Sequence, residues 1–262
     1  MKRILIVGGA SGIGLAIAKQ MALKPFCEKV YIVDKQPLDQ EYAEPKIESF
    51  IFDLKNEDYS FFDRFEDIDS LMITAGFGRL SLFKDIPEGY IIDSFNVNSV
   101  APIRIIRKFA DRLHGKDTFR CGVMVSIAGF MSSPFFAVYG ATKAALKIFI
   151  ESFNVELEKQ GSSNRVLNVS PGSIKGSGFQ SGEKSDLGLL APLAEEIIDH
   201  LQSGDDLFIP QYEEIYKKAS DIDLTINALE VINNIDKLKN LSLEFEKEKK
   251  RIKGLKIDDI EI

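Results

Sequence analysis

Residues 3–23 read RILIVGGASGIGLAIAKQMAL, and this stretch decides the fold. An apolar run from Ile4 to Val7 stops at two glycines. After Ala10 and Ser11 the chain becomes helix-prone, with glycines again at positions 12 and 14. A strand, a glycine-rich turn and a helix in that order let bare backbone approach a ligand and aim free helix N–H groups at it. The spacing is G-x-x-x-G-x-G. It does not fit G-x-G-x-x-G, because counting from Gly12 the third glycine position is Ile17, and no Gly-Lys-Ser/Thr follows to make a phosphate loop. A tight structural turn has the same letters, so the rest of the chain must decide between the two.

The alternation that begins here continues. Strand candidates are RILIVGG, KVYIVDK, IESFIFDL, SLMITAG, GVMVSIAG, RVLNVSPG and DLFIP, with helix candidates at 12–24, 56–66, 88–114, 138–160 and 191–203. Short strands separated by longer amphipathic segments make βαβ units. The pattern predicts an α/β domain over residues 1–210, a doubly wound parallel sheet of about seven strands of Rossmann type. Beyond it, residues 211–262 turn charged and carry apolar residues at Ala228, Val231, Ile235, Leu238, Phe245 and Ile252. That spacing predicts a helical C-terminal extension, docked on its own domain or on a sister subunit.

Composition removes several function classes. A formal charge of −7 over 262 residues argues against nucleic acid as a partner. Cys27 and Cys121 are far apart, and with only His114 and His200 beside them neither a metal centre nor a Ser-His-Asp triad is expected. The basic start MKR precedes an apolar run that glycines interrupt before the ~7 residues of a secretory signal. No stretch approaches the ~18 apolar residues of a membrane span. The expected compartment is the cytoplasm.

Asp34 ends the strand YIVD, about twenty residues after the glycines, where a carboxylate accepts hydrogen bonds from the adenosine ribose of a bound dinucleotide. It would repel a 2′-phosphate, which favours NAD over NADP, although the neighbouring Lys35 pulls the other way. Further on, VSIAGFMSSPFFAVYGATK, residues 125–143, holds Tyr139 and Lys143 four apart on a predicted helix, with Ser126 at the preceding strand end. An ammonium fixed beside a phenol stabilises the phenolate and is expected to bring its pKa down from near 10. A hydroxyl at the sheet's C-terminal edge can hydrogen-bond a carbonyl or alcohol oxygen.

These residues together resemble the short-chain dehydrogenase/reductase family over residues 2 to about 210. The ordered motifs are VGGASGIG at 7–14, Asp34, FDL with Asp53, ITAG at 73–76, NVN with Asn98, Ser126, YGATK at 139–143 and SPG at 170–172. The resemblance implies that Tyr139 is the acid/base, that Lys143 lowers its pKa and binds the nicotinamide ribose, that Ser126 orients the substrate oxygen, and that Asn98 holds Lys143 through a water relay. It places the dinucleotide against Gly8, Ser11, Gly12, Ile13, Gly14, Asp34, Asp53, Leu54, Ala75, Gly76, Pro171, Gly172 and Ile174. The implied reaction is reversible hydride transfer between the cofactor and a secondary alcohol or ketone, with no metal.

Three positions depart from the family pattern. Val7 stands where a threonine is usual, and Thr74 where the second Asn of Asn-Asn-Ala-Gly is usual; the two are read as one compensated change. Gly176 replaces a threonine that binds the carboxamide, with Ser173 or Ser177 as expected substitutes. Phe135, Phe136, Phe149 and Phe153 are expected in the core or at a subunit contact. Phe149, Phe153 and Leu157 lie on the helix that in this family packs against a second subunit, which implies a homodimer or homotetramer. Ile127, Phe130, Met131 and Phe179 are expected as an apolar substrate wall, with Lys175, Arg79 and Lys184 as contacts for an anionic group. The alternative reading is a non-catalytic NAD(P)-binding sensor or scaffold acting through its C-terminal helix.

Overall fold

The computed structural model describes residues 1–179 and 184–212. Seven strands form one sheet: β1 (Arg3–Val7), β2 (Lys29–Asp34), β3 (Ile47–Ile51), β4 (Ser70–Ile73), β5 (Arg120–Met124), β6 (Val166–Val169) and β7 (Leu207–Phe208). Their order is β3-β2-β1-β4-β5-β6-β7, and every adjacent pair is parallel. All seven C-terminal ends therefore share one edge. The order reverses beside β1, where an open parallel sheet leaves its binding crevice.

Alternation along β1 shows why helices must cover both faces. Ile4 and Ile6 join one apolar cluster, and Leu5 and Val7 join the other, as the two-residue period of a strand requires. On the first face lie α1 (Gly12–Leu23) and α6 (Leu187–Ser203), through Ile17, Met21, Leu190, Ile197 and Leu201. The opposite face is covered by α3 (Ala101–Lys108) and α5 (Ala137–Lys159), through Ile105, Ile106, Leu146, Ile150 and Leu157. Two further helices, α2 (Glu88–Phe95) and α4 (Ala110–His114), flank α3 in sequence.

Two helices expected from sequence differ in the structure. Residues 56–66 hold only a 3₁₀ turn, Tyr59–Arg64, started by the Asp58 carboxylate on the Ser60 N–H. Its aromatic rings pack on Phe52 and Phe65, and that packing, not helical hydrogen bonding, fixes the segment. The long helix 88–114 is broken twice. Pro102 has no amide hydrogen to return to the Asn98 carbonyl, and the ladder widens into a π-helical turn, Asn96–Val100, with the Ala101 N–H on the Asn96 carbonyl. A second break falls at Phe109, whose φ of −106° and ψ of 12° are not helical.

The chain divides into Met1–Pro210 and Gln211–Ile262; the helical extension expected for the second lies outside the described residues. Among the described residues no helix is long and apolar enough to cross a membrane, and no group of His, Cys, Asp and Glu suits a metal ion.

Candidate active site

The C-terminal edge of the sheet gathers the residues that the sequence singled out. Beyond β1, Gly8 adopts φ +90°, and a Cβ there would lie 2.4 Å from the Ala75 nitrogen. At Gly14 a Cβ would lie 2.2 Å from the Gly8 carbonyl oxygen. Only glycine lets the turn fold this tightly against the end of β4. Thr74 closes it: its Oγ1 donates to the carbonyls of Val7 at 3.1 Å and Gly8 at 2.9 Å. That bond ends on backbone oxygens and asks nothing of the side chain at position 7. Val7, 1% exposed, serves the core instead, so the paired departure at 7 and 74 is a workable one.

Helix α1 starts at Ser11, whose side chain makes no capping bond. The Gly12 N–H donates instead to Ser185 Oγ at 2.7 Å, from the far side of the cleft in sequence. Sequence reading missed Ser185, because 173 residues separate the pair. The N–H it occupies lies at a helix start, where an anion is favoured. Ser185→Ala is expected to tighten NADH binding about two- to fivefold, the worth of one neutral hydrogen bond, as read by cofactor fluorescence; weaker binding would make Ser185 a cofactor ligand instead.

Asp34, at the end of β2, accepts from the Ala10 N–H at 3.0 Å and the Gln36 N–H at 3.2 Å. Beside it, past β3, Asp53 is exposed and accepts from the Lys55 N–H, while Leu54 is buried in the core. Lys35 is exposed. Lys184, expected as an anion contact, is engaged elsewhere: it pairs with Glu41 and lies 5.6 Å from the Tyr42 ring centroid. Arg79 and Lys175 are exposed.

Ser126 lies two residues past β5, 8% exposed, with Oγ accepting from the Ala128 N–H at 3.1 Å. Tyr139 and Lys143 sit in the first two turns of α5. Lys143 is 2% exposed; its Nζ donates to the Met124 carbonyl at 2.9 Å and stands 5.6 Å from the Tyr139 ring centroid. Asn98, on the π-helical turn, is fully buried and grips Phe77, accepting from its N–H at 3.0 Å and donating to its carbonyl at 2.8 Å. That grip holds Gly76 where a Cβ would meet both Asn98 Oδ1 at 3.2 Å and Lys143 Nζ at 3.4 Å.

The aromatic residues divide differently from expectation. Phe136 leaves the core and tilts against Tyr139 at 5.3 Å between centroids, and Phe179 does so from the other segment at 5.7 Å. Phe135 is 49% exposed with φ +65°, a left-handed conformation costly for a bulky residue. Leu157 lies in the core, with Phe149 and Phe153 packed against it, so the exposed apolar residues of α5 are Ile148 and Val155. Pro171 follows β6 and accepts from the Ile127 N–H at 3.1 Å; Gly172 faces Ile127, and Ile174 packs on the α1–α6 cluster. Gly176 adopts φ +78°, and a Cβ there would crowd Asp186, so a threonine would not fit this backbone. The Ser177 hydroxyl already donates to the Ile174 carbonyl at 2.8 Å.

Burial enters the electrostatics of the pair. It pushes the Tyr139 phenol up to about 12, and the Ser126 hydroxyl draws it back. Burial also pushes Lys143 down to about 7, because the interior solvates its ammonium poorly. The unfolded chain keeps that proton up to about 10.5, so between about 7 and 10.5 it binds more protons than the folded chain. Folding stability is therefore expected to rise with pH from about 7 to 9, by at most about 3 kcal/mol, before the buried Cys121 thiol, pushed up from 9.0 to about 12, opposes the trend. Thermal melts of the cofactor-free protein check this, and Lys143→Met should flatten the slope.

Comparison with known proteins agrees with this geometry. The family model described as short chain dehydrogenase matches residues 2–187. An uncharacterized oxidoreductase of Saccharomyces cerevisiae is 27% identical over 218 residues, 77% of this chain and 65% of that protein, so the chain spans slightly less than two thirds of that relative. The sorbitol-6-phosphate 2-dehydrogenase of Klebsiella pneumoniae is 28% identical over 69% of this chain and 72% of its own length. Among solved structures, a short-chain dehydrogenase from Streptomyces avermitilis superposes with a TM-score of 0.72 over 92% of this chain and all of its own, at 19% identity. A glycine turn at the switch of a 3-2-1-4-5-6-7 sheet, a Tyr–Lys pair on the helix after β5 and a family match over most of the chain lead to one assignment: this protein belongs to the short-chain dehydrogenase family.

Proposed function

We propose that this protein is a nicotinamide-dependent oxidoreductase acting on a secondary alcohol or ketone, with NAD favoured over NADP. The observation that carries the reading is the convergence of Ser126, Tyr139, Lys143 and Asn98 beside the glycine turn at one sheet edge. Three features support a dinucleotide at the turn: a helix start whose Gly12 N–H meets, among the described residues, only a Ser hydroxyl, a cradle at Gly8 and Gly14 with no room for side chains, and the Asp34 carboxylate at the end of β2, where the ribose would lie. When bound, the dinucleotide supplies the hydride that passes to or from the carbon bearing the substrate oxygen.

The protein's residues handle the proton and the geometry. Tyr139, with its pKa near 12, is protonated at neutral pH and is the acid that protonates a carbonyl oxygen in the reducing direction. Ser126 hydrogen-bonds the same substrate oxygen and orients it. Lys143 holds the nicotinamide ribose and stabilises the phenolate that remains on Tyr139. Asn98 fixes the Gly76–Phe77 backbone beside Lys143. Phe136 and Phe179 frame the phenol with apolar surface, which supports the wall, over the exposed cations, as the substrate contact. One of the solved relatives, from Comamonas testosteroni, is described as a bulky-bulky ketone specific alcohol dehydrogenase, and its substrate class suits such a frame.

The test is a titration of the purified protein with NADH and NADPH, followed by NADH oxidation with cyclohexanone, acetophenone and dihydroxyacetone. The chain contains no Trp, so cofactor emission meets little competing protein signal. Failure to bind either cofactor would overturn the dinucleotide reading. Binding without turnover of any ketone would overturn the enzymatic one. The sensor or scaffold alternative depends on the C-terminal segment, which lies outside the described residues.

A further inference from the structure

Thr142 is the one polar side chain between Tyr139 and Lys143 on α5, and it is fully buried. Its hydroxyl has two partners: it donates to the Tyr139 carbonyl at 2.7 Å and accepts from Asn98 Nδ2 at 3.2 Å. The Thr142 carbonyl in turn accepts from Ser99 Oγ at 2.8 Å, and Ser99 is 3% exposed. Two neighbouring residues of the π-helical turn thus bond both polar groups of one residue on α5. A Thr hydroxyl that bonds its own helix backbone normally satisfies itself there; this one also takes a cross-helix partner.

Those bonds close a circuit. From Thr142 it runs through Asn98 to the backbone of Phe77. On either side of Phe77, Gly76 approaches Lys143 Nζ, and Gly78 lies against the Tyr139 ring, where a Cβ would come within 2.9 Å of Cδ2. The loop that touches both reactive side chains is therefore tied, through Asn98 and the Thr142 hydroxyl, to the helix that carries them. An unwidened α-helix would present different residues to α5, so the π-helical turn has a local purpose.

We propose that Thr142, braced by Ser99, is a positioning residue for the reaction: it sets the Tyr139–Lys143 turn of α5 against the Gly76–Gly78 loop and acts through Asn98 without touching a reactant. The inference rests on the function proposed above. It adds two residues that the Ser-Tyr-Lys-Asn set does not include.

Thr142→Val keeps the shape and removes the hydroxyl, Thr142→Ser keeps the hydroxyl, and Ser99→Ala removes the second brace. NADH oxidation with whichever ketone of the panel turns over best gives kcat, KM and their pH profiles, and NADH fluorescence gives the cofactor Kd. Thr142→Val is expected to lower kcat about tenfold or more, since sub-ångström misplacement of a reacting group is that costly. It should also move the pH midpoint of kcat, while NADH Kd and ketone KM stay within about twofold; Thr142→Ser should recover most of the loss, and Ser99→Ala should show a smaller loss of the same kind. Unchanged kcat and pH profile with only a lower melting temperature would overturn the proposal, as would a Ser variant as impaired as the Val one. The wild-type arm stands apart: NADH binding without turnover of any ketone refutes the enzymatic reading itself, and the positioning role falls with it.

Discussion

Tyr139→Phe is expected to lower NADH-dependent ketone reduction about a thousandfold, within the range that loss of a positioned general acid produces, with NADH affinity little changed. The substitution removes one oxygen and keeps the ring, which Phe136 and Phe179 hold from two directions, so the fold has no reason to respond. No other described group can replace the lost proton donor well. Ser126 is an alcohol whose proton faces the Pro171 carbonyl, and Lys143 donates to the Met124 carbonyl. At neutral pH the wild-type phenol carries its proton because burial lifts its pKa to about 12, and that form is the competent one for reduction. In the oxidising direction the phenol must first lose that proton, so alcohol oxidation should gain rate as pH rises toward the phenol's pKa. Steady-state kinetics in both directions from pH 6 to 10 would show the asymmetry. Full turnover by the Phe variant would remove Tyr139 from the chemistry and leave Ser126 as the residue to test.

Much of this site was legible because its chemistry is local in sequence. A strand ending in glycines, an acidic residue closing the next strand, and a Tyr and Lys four apart each occupy a short window, and a parallel sheet brings all strand ends to one edge without further information. Legibility stopped where a contact depends on distant chain. The bond from Gly12 to Ser185 has no signature in either segment. The π-helical turn was hidden because apolar periodicity from 88 to 114 reads as one helix; only Pro102, read for the carbonyl it cannot serve, hinted at a break. The expected effect of Lys143 on Tyr139 meets an opposing one that the sequence does not show. Spacing of four residues places two side chains on one face, but it says nothing of how deeply both are buried, and here the cost of burial outweighs the attraction of an ammonium that is itself half neutral near pH 7. The contact of Phe136 with Tyr139 was hidden for a similar reason: a run of aromatic residues reads as core or subunit contact unless the backbone conformation just before it, at Phe135, is known.

Asp34→Asn tests which cofactor the site was built for. The wild type is expected to bind NADH at least tenfold more tightly than NADPH, because a 2′-phosphate would meet the Asp34 carboxylate. Two unit charges about 4 Å apart near a protein surface repel by about 4 kcal/mol, and solvent and Lys35 reduce that to a factor of about ten to a hundred in affinity. Asn keeps the size of the side chain but only one of the two oxygens, so with that oxygen on the Ala10 N–H the glycine turn keeps its brace and the Gln36 bond is given up. Its gain should fall on NADPH alone, about tenfold, with a smaller loss for NADH as the ribose hydroxyls exchange a charged acceptor for a neutral one. Titrating both cofactors against both proteins, at low and high salt, separates the terms: a repulsion shrinks with salt, whereas a lost ribose hydrogen bond does not. A wild type that prefers NADPH would give the decision to the exposed Lys35, and Lys35→Ala should then remove the preference. In that case Asp34 acts through the Ala10 and Gln36 N–H groups, as a brace for the glycine turn.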